Sequence, residues 1–307
     1  MFQMNVFYFY DLDSLQFSWE RDWLKELFQS TSDIQFNFQQ FRLDMNTTNQ
    51  SSPPLLIINH STFDYLQYFK DKPYFVIHLS DEYLTDRVDF YEESNCLHVF
   101  RCYLKPHYLN HPKITYLPLG YKQDMFDQPN LSPPPLRQRQ YLWSFAGCPR
   151  KGERAAILTR LSQYQPNYLH LISYWNAPNS LSSQAMRELL YKSQIVPCLK
   201  GNVNIDTFRL FEALECGCIP IIYKYNDRFF GESIEYFQQL FGESHPIPTI
   251  CGDNFQLVLE EFSIWSLDEL EEKQQEIWQW YQNYKQKLKK QIRETILRLN
   301  GRNNLIS

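Results

Sequence analysis

No apolar run in this chain approaches the roughly 18 residues that a membrane-spanning helix requires. Its first residues, MFQMNVFYFYDLD, lack the basic start and small-residue cleavage site of a secretory leader. These absences predict a soluble, cytoplasmic chain. No CxxC pair is present, which argues against zinc ribbons and dithiol redox centres, and the seven cysteines are scattered and odd in number. Reduced thiols in a core are therefore expected, and Cys216 and Cys218 flank Gly217 too closely for an ordinary bridge. No GxGxxG follows a strand-like run, which speaks against a dinucleotide oxidoreductase. A formal net charge of -5 is not the basic excess of a dedicated nucleic-acid binder, so no nucleic-acid partner is expected. Internal repeats and low-complexity tracts are also lacking, and oligomeric state is not legible.

What is present is a globular composition. Of 307 residues, 43% are hydrophobic and 17% aromatic, enough for two domains that each bury a core. Strand-like runs (VFYFY, IQFNFQQF, LLIIN, FVIHLS, LHVFRCY) alternate with a helix over 19–28 and shorter helices over 64–69 and 83–91. Such alternation predicts α/β architecture with a parallel sheet. DQPNLSPPPLRQRQ, residues 127–140, breaks the pattern with four prolines and marks a domain boundary. The alternation then restarts: YLWSFAG, a helix over 152–163, YLHLIS, a helix over 183–191, and QIVPCL. The tail from Ser266 to Asn300 reads as one long helix, acidic first and basic later, which suits its macrodipole. Its basic cluster (Lys285, Lys287, Lys289, Lys290, Arg293) is read as a solvated helix end, with peripheral contact to an anionic membrane as the alternative.

The richest segment is GNVNIDTFRLFEALECGCIPII, Gly201 to Ile222. Asp206 or Thr207 can cap a helix, Leu210, Phe211 and Leu214 make an apolar stripe, Gly217 ends the helix, and Cys218 to Ile222 reads as a buried strand. Arg209 and Glu212 lie three apart on the other side. A guanidinium there can hold a diphosphate by paired hydrogen bonds, and a carboxylate one turn on can accept both hydroxyls of a ribose. The plain alternative is a surface ion pair. Gly201 and Asn202 would let backbone amides approach phosphates, and Lys200 could add charge.

The run TFRLFEALECGCIPII resembles the donor-binding segment of exostosin-like glycosyltransferases. FVIHLSDE (Phe75–Glu82), VFRCY (Val99–Tyr103), YLPLGYK (Tyr116–Lys122) and YLWSFAG (Tyr141–Gly147) with Arg154 resemble further segments of that family in the same order. The resemblance implies a GT-B fold, two Rossmann-like domains facing a central cleft with a long C-terminal helix. The domains would be an acceptor-side domain over 1–130, a nucleotide-sugar-binding domain over 131–265, and a helix over 266–307 packing back towards the first. It implies an inverting transfer from a nucleoside-diphosphate sugar, UDP-linked, to a saccharide or glycan acceptor. The rival is a non-catalytic nucleotide- or glycan-binding protein on the same scaffold. Family members in animals and plants are typically anchored by an N-terminal membrane helix. The departure here implies a bacterial or viral relative, or an excised lumenal domain.

Within that frame Arg154 and the Gly147 turn face the donor phosphates, with Arg150 and Lys151 nearby, and Tyr174 or Trp175 stacks on a nucleobase or merely forms a rim. The catalytic base is expected among Glu82 (first choice), His60 and Asp81, although Ser80 or Asp81 could instead cap a following helix. Arg101 is expected in the cleft or in a buried ion pair, and Gly120 and Tyr121 in a cleft loop or a plain turn. Asp11-Leu12-Asp13 reads as a turn, and the GT-B resemblance implies that Arg, Lys and helix ends manage the diphosphate, so no required metal and no cofactor beyond the nucleotide sugar is expected. The sequons at Asn46, Asn49, Asn59 and Asn130 read as chance.

Overall fold

The structure, a computed structural model, describes residues 2–9, 16–41, 52–87, 89–105, 108–126, 132–151, 153–201, 205–224, 226–227, 231–251 and 255–303. Asp11, Asp13, Asn46, Asn49, Asn130 and Asn202, singled out above, lie outside these residues. Two compact units make up the chain, one from residues 1–118 with 285–307 and one from 119–284. The division falls at 118/119, ahead of the proline-rich stretch, whose described part from Ser132 belongs to the second unit.

The first unit is built on six parallel strands: β1 (Phe2–Tyr8), β2 (Ile34–Gln40), β3 (Leu55–Ile58), β4 (Tyr74–His78), β5 (Cys96–Arg101) and β6 (Ile114–Tyr116), in the order β2-β1-β3-β4-β5-β6. Helices α1 (Gln16–Leu27) and α2 (Phe90–Glu93) and a 3-10 helix over His60–Phe69 lie between strands. LLII of β3 and YFVIH of β4 are buried throughout, as expected of parallel strands covered on both faces. Trp23 of α1 is fully buried and donates its indole N–H to the Pro118 carbonyl at 2.8 Å. Asn59 starts the 3-10 helix with a reciprocal capping box: its side chain accepts from the Thr62 amide at 3.1 Å, and the Thr62 hydroxyl accepts from the Asn59 amide at 2.9 Å.

Among the described residues, the helix expected over 83–91 is absent apart from Phe90 and Tyr91, the first two residues of α2. Instead, the Asp81 carboxylate takes the Thr85 amide at 2.9 Å and Leu84 adopts a left-handed φ of 55°, so the chain turns back on itself.

The second unit has a five-stranded parallel sheet of β7 (Tyr141–Gly147), β8 (Asn167–Leu171), β9 (Ser193–Cys198), β10 (Ile219–Lys224) and β13 (Thr249–Cys251), ordered β13-β10-β9-β7-β8. A short antiparallel ribbon pairs β11 (Asn226–Asp227) with β12 (Gly231–Glu232). The helices are α3 (Arg154–Leu161), α4 (Ser183–Tyr191), α5 (Phe208–Glu215), α6 (Ser233–Phe241) and α7 (Phe255–Ile264). The long C-terminal helix α8 (Leu267–Asn303) gives its residues through Tyr284 to this unit and those from Lys285 to the other. No described helix is long and apolar enough to cross a membrane.

Two expectations for α5 change. Its residues 210–215 are all buried, Glu212 and Glu215 included, so the helix is not amphipathic against solvent but enclosed, packing on α4, β9 and β10. Thr207 occupies the N-cap position without making a side-chain cap bond, and Asp206 accepts instead from the Tyr236 hydroxyl at 3.1 Å. Six of the cysteines are described as free and buried.

The stretch read as a linker holds a buried hub. Arg139, 6% exposed, donates to the carbonyls of Pro134, Leu190, Ser193 and Cys216. The basic residues of α8 are also engaged. Lys285 is fully buried at 3.3 Å from Glu26, Lys289 reaches the same carboxylate at 3.0 Å, and Arg293 pairs with Asp33.

Each unit is thus α/β with a parallel, Rossmann-like sheet, and a long helix closes the chain.

Candidate functional site

In both sheets the second strand lies on one side of the first and the third on the other. The order therefore reverses between β1 and β3 in the first unit and between β7 and β9 in the second. In open parallel sheets, ligands bind beyond the carboxyl ends of the strands at such reversals.

In the second unit the sequence-selected arginines meet at that place. Arg209, on the first turn of α5, donates from Nη2 to the carbonyl of Ala146 in β7 at 2.9 Å; its Nη1 lies 3.2 Å from the Glu212 carboxylate and 2.6 Å from the Met186 sulfur. Glu212 is 3% exposed, so the pair is not a surface ornament. Arg154, at the start of α3, donates to the Lys200 carbonyl at 2.8 Å and the Cys148 carbonyl at 3.2 Å, tying together the exits of β9 and β7. Gly147 has φ 155°, and a Cβ there would stand 3.3 Å from the Phe145 ring. Thr207, beside Arg209, holds a buried hydroxyl without a hydrogen-bond partner among the described residues. Gly201 follows Lys200, both half-buried.

An aromatic and basic group borders the exit of β8. The Trp175 ring, 45% exposed, has Lys122 Nζ 5.0 Å and Lys151 Nζ 5.9 Å from its centroid and stacks with Phe208 at 6.5 Å. Tyr174 beside it is 57% exposed. Tyr121, expected in a cleft loop or a plain turn, is buried edge-on against Phe126. Gly120 next to it turns with φ 68°, the plain-turn alternative.

In the first unit a hydrogen-bonded chain runs along the exits of β3, β4 and β5. Arg101 is fully buried and paired with Asp81, the ion-pair alternative for this arginine. Asp81 is 2% exposed and also takes the Thr85 amide, so its oxygens are committed within the fold. This corrects its place among candidate bases: a carboxylate that is buried and held by a guanidinium is poorly placed to receive a substrate proton. His78, fully buried, bonds Asp86 Oδ2 through Nε2 at 2.7 Å, while its Nδ1 faces Arg101 Nη1 and the Tyr91 hydroxyl. Burial, aided by the Arg101 charge, pushes the His78 imidazole down to about 4, so it is neutral near pH 7. His60, with 63% of its side chain exposed, bonds Asp86 Oδ1 through Nδ1 at 2.5 Å. Burial alone would raise the Asp86 carboxyl, but its bonds to His78 and His60 outweigh that and hold it below the usual range. Glu82 is half-buried in the adjoining turn.

Donor atoms of His60, Asp81 and Asp86 lie within 4.8 Å of one another, a spacing that can hold a divalent cation. Arg101 already neutralises Asp81, and two imidazoles bond Asp86, so hydrogen bonds account for the grouping.

Sequence reasoning missed Asp86, His78 and Tyr91. The available signal was His78 itself, a polar ring within the apolar run FVIHLS, which cannot be buried without partners.

Residues 127–299 match the family described as RXYLT1 C-terminal domain. No curated protein matches the chain. The matched span is more than half of the sequence and contains Gly147, Arg154, Arg209 and Glu212. The chain therefore belongs to the RXYLT1 C-terminal domain family, a family of glycosyltransferases.

Proposed function

We propose that the protein transfers a sugar from a UDP-linked donor to a saccharide or glycan acceptor, with inversion, on a GT-B scaffold. Arg154, Arg209 and the start of α5 hold the diphosphate, Glu212 the ribose, and Trp175 or Tyr174 the base. One observation carries this reading: both arginines are anchored at the carboxyl ends of β7 and β9, where the sheet order reverses. Their backbone bonds fix the guanidinium planes in advance, so charge is already in place as the diphosphate leaves. The Thr207 hydroxyl, without a partner among the described residues, offers a further donor at the helix start. With two guanidiniums and a helix end supplying positive charge, the reading requires no bound cation.

In the reaction the acceptor O–H bond breaks and its proton passes to a base. The oxygen bonds to the anomeric carbon while the bond from that carbon to the diphosphate breaks, and its electron pair leaves on the diphosphate oxygen.

The test is thermal unfolding in the presence of UDP, GDP, CDP and their sugars, UDP-xylose among them. UDP at about 100-fold over its Kd should add about 2.7 kcal/mol to apparent stability. Arg209→Lys, which keeps charge but not the fork, should lose most of the shift, and Arg154→Ala likewise. If Arg209→Lys and Arg209→Ala both kept the full shift, the donor site would be elsewhere. UDP binding with no hydrolysis or transfer across a broad acceptor panel would favour the binding-protein rival.

A further inference from the structure

We propose that Trp175 stacks on the uracil of the donor and that Lys122 and Lys151 select that base by donating to its carbonyl oxygens. The proposal rests on the donor site proposed above and names the residues that give it a nucleotide preference. These side chains and Phe208 all belong to the second unit. The backbone fixes where Trp175 stands. The Ala177 amide donates to the Tyr174 carbonyl at 3.2 Å, which closes a turn with Trp175 and Asn176 at its tip, and Asn176 takes the left-handed φ of 59° that such a turn needs. The turn is tied to the exit of β7. The Ile172 amide donates to the Gly147 carbonyl at 3.1 Å, the Cys148 thiol donates to the Ser173 carbonyl at 3.3 Å, and Cys148 packs with Ile172 and Ala177 in a small buried cluster.

Cys148 is also the residue whose carbonyl Arg154 holds at 3.2 Å, and the Trp175 ring lies 17° from parallel with Phe208, the residue before Arg209. The indole is thus placed by the β7 exit that Arg154 grips and by the first turn of α5 that carries Arg209. It still leaves 45% of the residue open to water, surface that a stacked base would cover. Stacking alone does not choose a base, because every base has a π-face. The choice lies at the edges. Lys122 Nζ is 5.0 Å and Lys151 Nζ 5.9 Å from the centre of the ring, and an ammonium can only donate. Cytosine and adenine each set an amino group on the edge, donor against donor, and guanine sets an N–H beside an amino group. Uracil instead carries a carbonyl on either side of a single N–H. A cation–π contact at a half-exposed ring is weaker than a charged hydrogen bond, so the carbonyl oxygens draw the ammonium groups to the edge as the base stacks. Trp175 is assigned rather than Tyr174 because both lysines and Phe208 converge on its ring.

The test is titration calorimetry of the full chain, without turnover, against UDP, CDP, GDP and ADP and against ribose 5-diphosphate, which has the handle but no base. The unaltered protein should bind UDP most tightly. Trp175→Ala should weaken UDP at least about fivefold and leave ribose 5-diphosphate within about twofold, while Trp175→Phe, which keeps a ring, should retain most of the UDP affinity. Lys122→Met and Lys151→Met keep their apolar stems. Each should lower the ratio of UDP to CDP affinity at least about threefold, again with ribose 5-diphosphate little changed.

Unchanged UDP affinity in Trp175→Ala overturns the stack. Lysine variants that weaken UDP and ribose 5-diphosphate equally assign the ammonium groups to the phosphates and overturn the selection. CDP or GDP bound more tightly than UDP by the unaltered protein overturns the uracil assignment. In each of these cases, loss of nucleotide binding in Arg209→Lys leaves the donor site itself standing. If no nucleoside diphosphate binds the unaltered protein, the donor site falls and this inference falls with it.

Discussion

At Gly217 the backbone turns with φ 61°, and an added Cβ would stand 2.3 Å and 2.5 Å from the Pro133 ring carbons. The Gly217 carbonyl takes the Gln274 side chain at 2.8 Å, and the preceding Cys216 carbonyl takes Arg139 at 2.8 Å. A methyl group there meets two penalties, the left-handed strain of an L-residue and the displacement of the Pro133 ring. Gly242 separates the two. It has φ 91° and nothing within 4 Å of an added Cβ, so it carries strain alone. Gly217→Ala is expected to lose roughly 2–4 kcal/mol and Gly242→Ala about 1 kcal/mol by urea denaturation. Equal losses would show that the Pro133 contact is not what fixes the turn.

The strands β4 and β5 each carry a buried neutral histidine, and this sets how the first unit answers acid. His78 and His98 are both pushed down to about 4, in each case chiefly by burial, with nearby positive charge second. Because these folded-state values lie below the ordinary 6.5, the unfolded chain binds protons first as pH falls. Stability is therefore held above about pH 6.5 and lost progressively towards pH 4. His78, fully buried, accounts for on the order of 3 kcal/mol and His98 for less. The urea midpoint followed by tryptophan fluorescence should fall steadily from pH 7 to 4.5, and a flat profile would show that both rings can charge without unfolding.

The same strands mark what the sequence discloses. FVIHLS and YLWSFAG read as buried strands because apolar runs bounded by turns leave few alternatives, and α4 matches its expected residues because the Ser182 side chain accepts from the Ala185 amide at 3.1 Å. The three-residue strands β6 and β13 are too short to show a period, and α6 and α7 went unread. That Arg154, Gly147 and Arg209 stand near strand exits was legible because the strands beside them are strong apolar runs. Asp86 was not, because it reaches His60 and His78 through a turn made by Asp81 and Leu84, and such a return leaves no periodic trace. Arg139 was hidden in the same way, by prolines that read as linker.

At the scale of the whole chain, one helix supplies core to both units. Ile277 and Tyr281 of α8 are buried in the second, and Leu288, Ile292 and Ile296 in the first. In the first unit the helix is also fixed by charge. Glu26, with 3% of its side chain exposed, faces the fully buried Lys285 at 3.3 Å and Lys289 at 3.0 Å, while Arg293 and Asp33, 43% and 41% exposed, pair near the surface. The Glu26 and Asp33 contacts both join residues far apart in sequence, but their energetics differ. Removing Glu26 takes from two ammonium groups, one of them fully buried, a carboxylate about 3 Å away, whereas removing Asp33 returns a half-exposed guanidinium to water. Glu26→Ala is expected to lose about 3–5 kcal/mol and Asp33→Ala no more than about 1 kcal/mol in urea denaturation. Replacing Glu26 and Lys285 together by Met should recover most of the loss, because the pair adds specificity more than net stability. If Glu26→Ala cost no more than Asp33→Ala, the hold of α8 on this unit would lie in its apolar side chains, Leu288, Ile292 and Ile296 among them, and not in this charge contact.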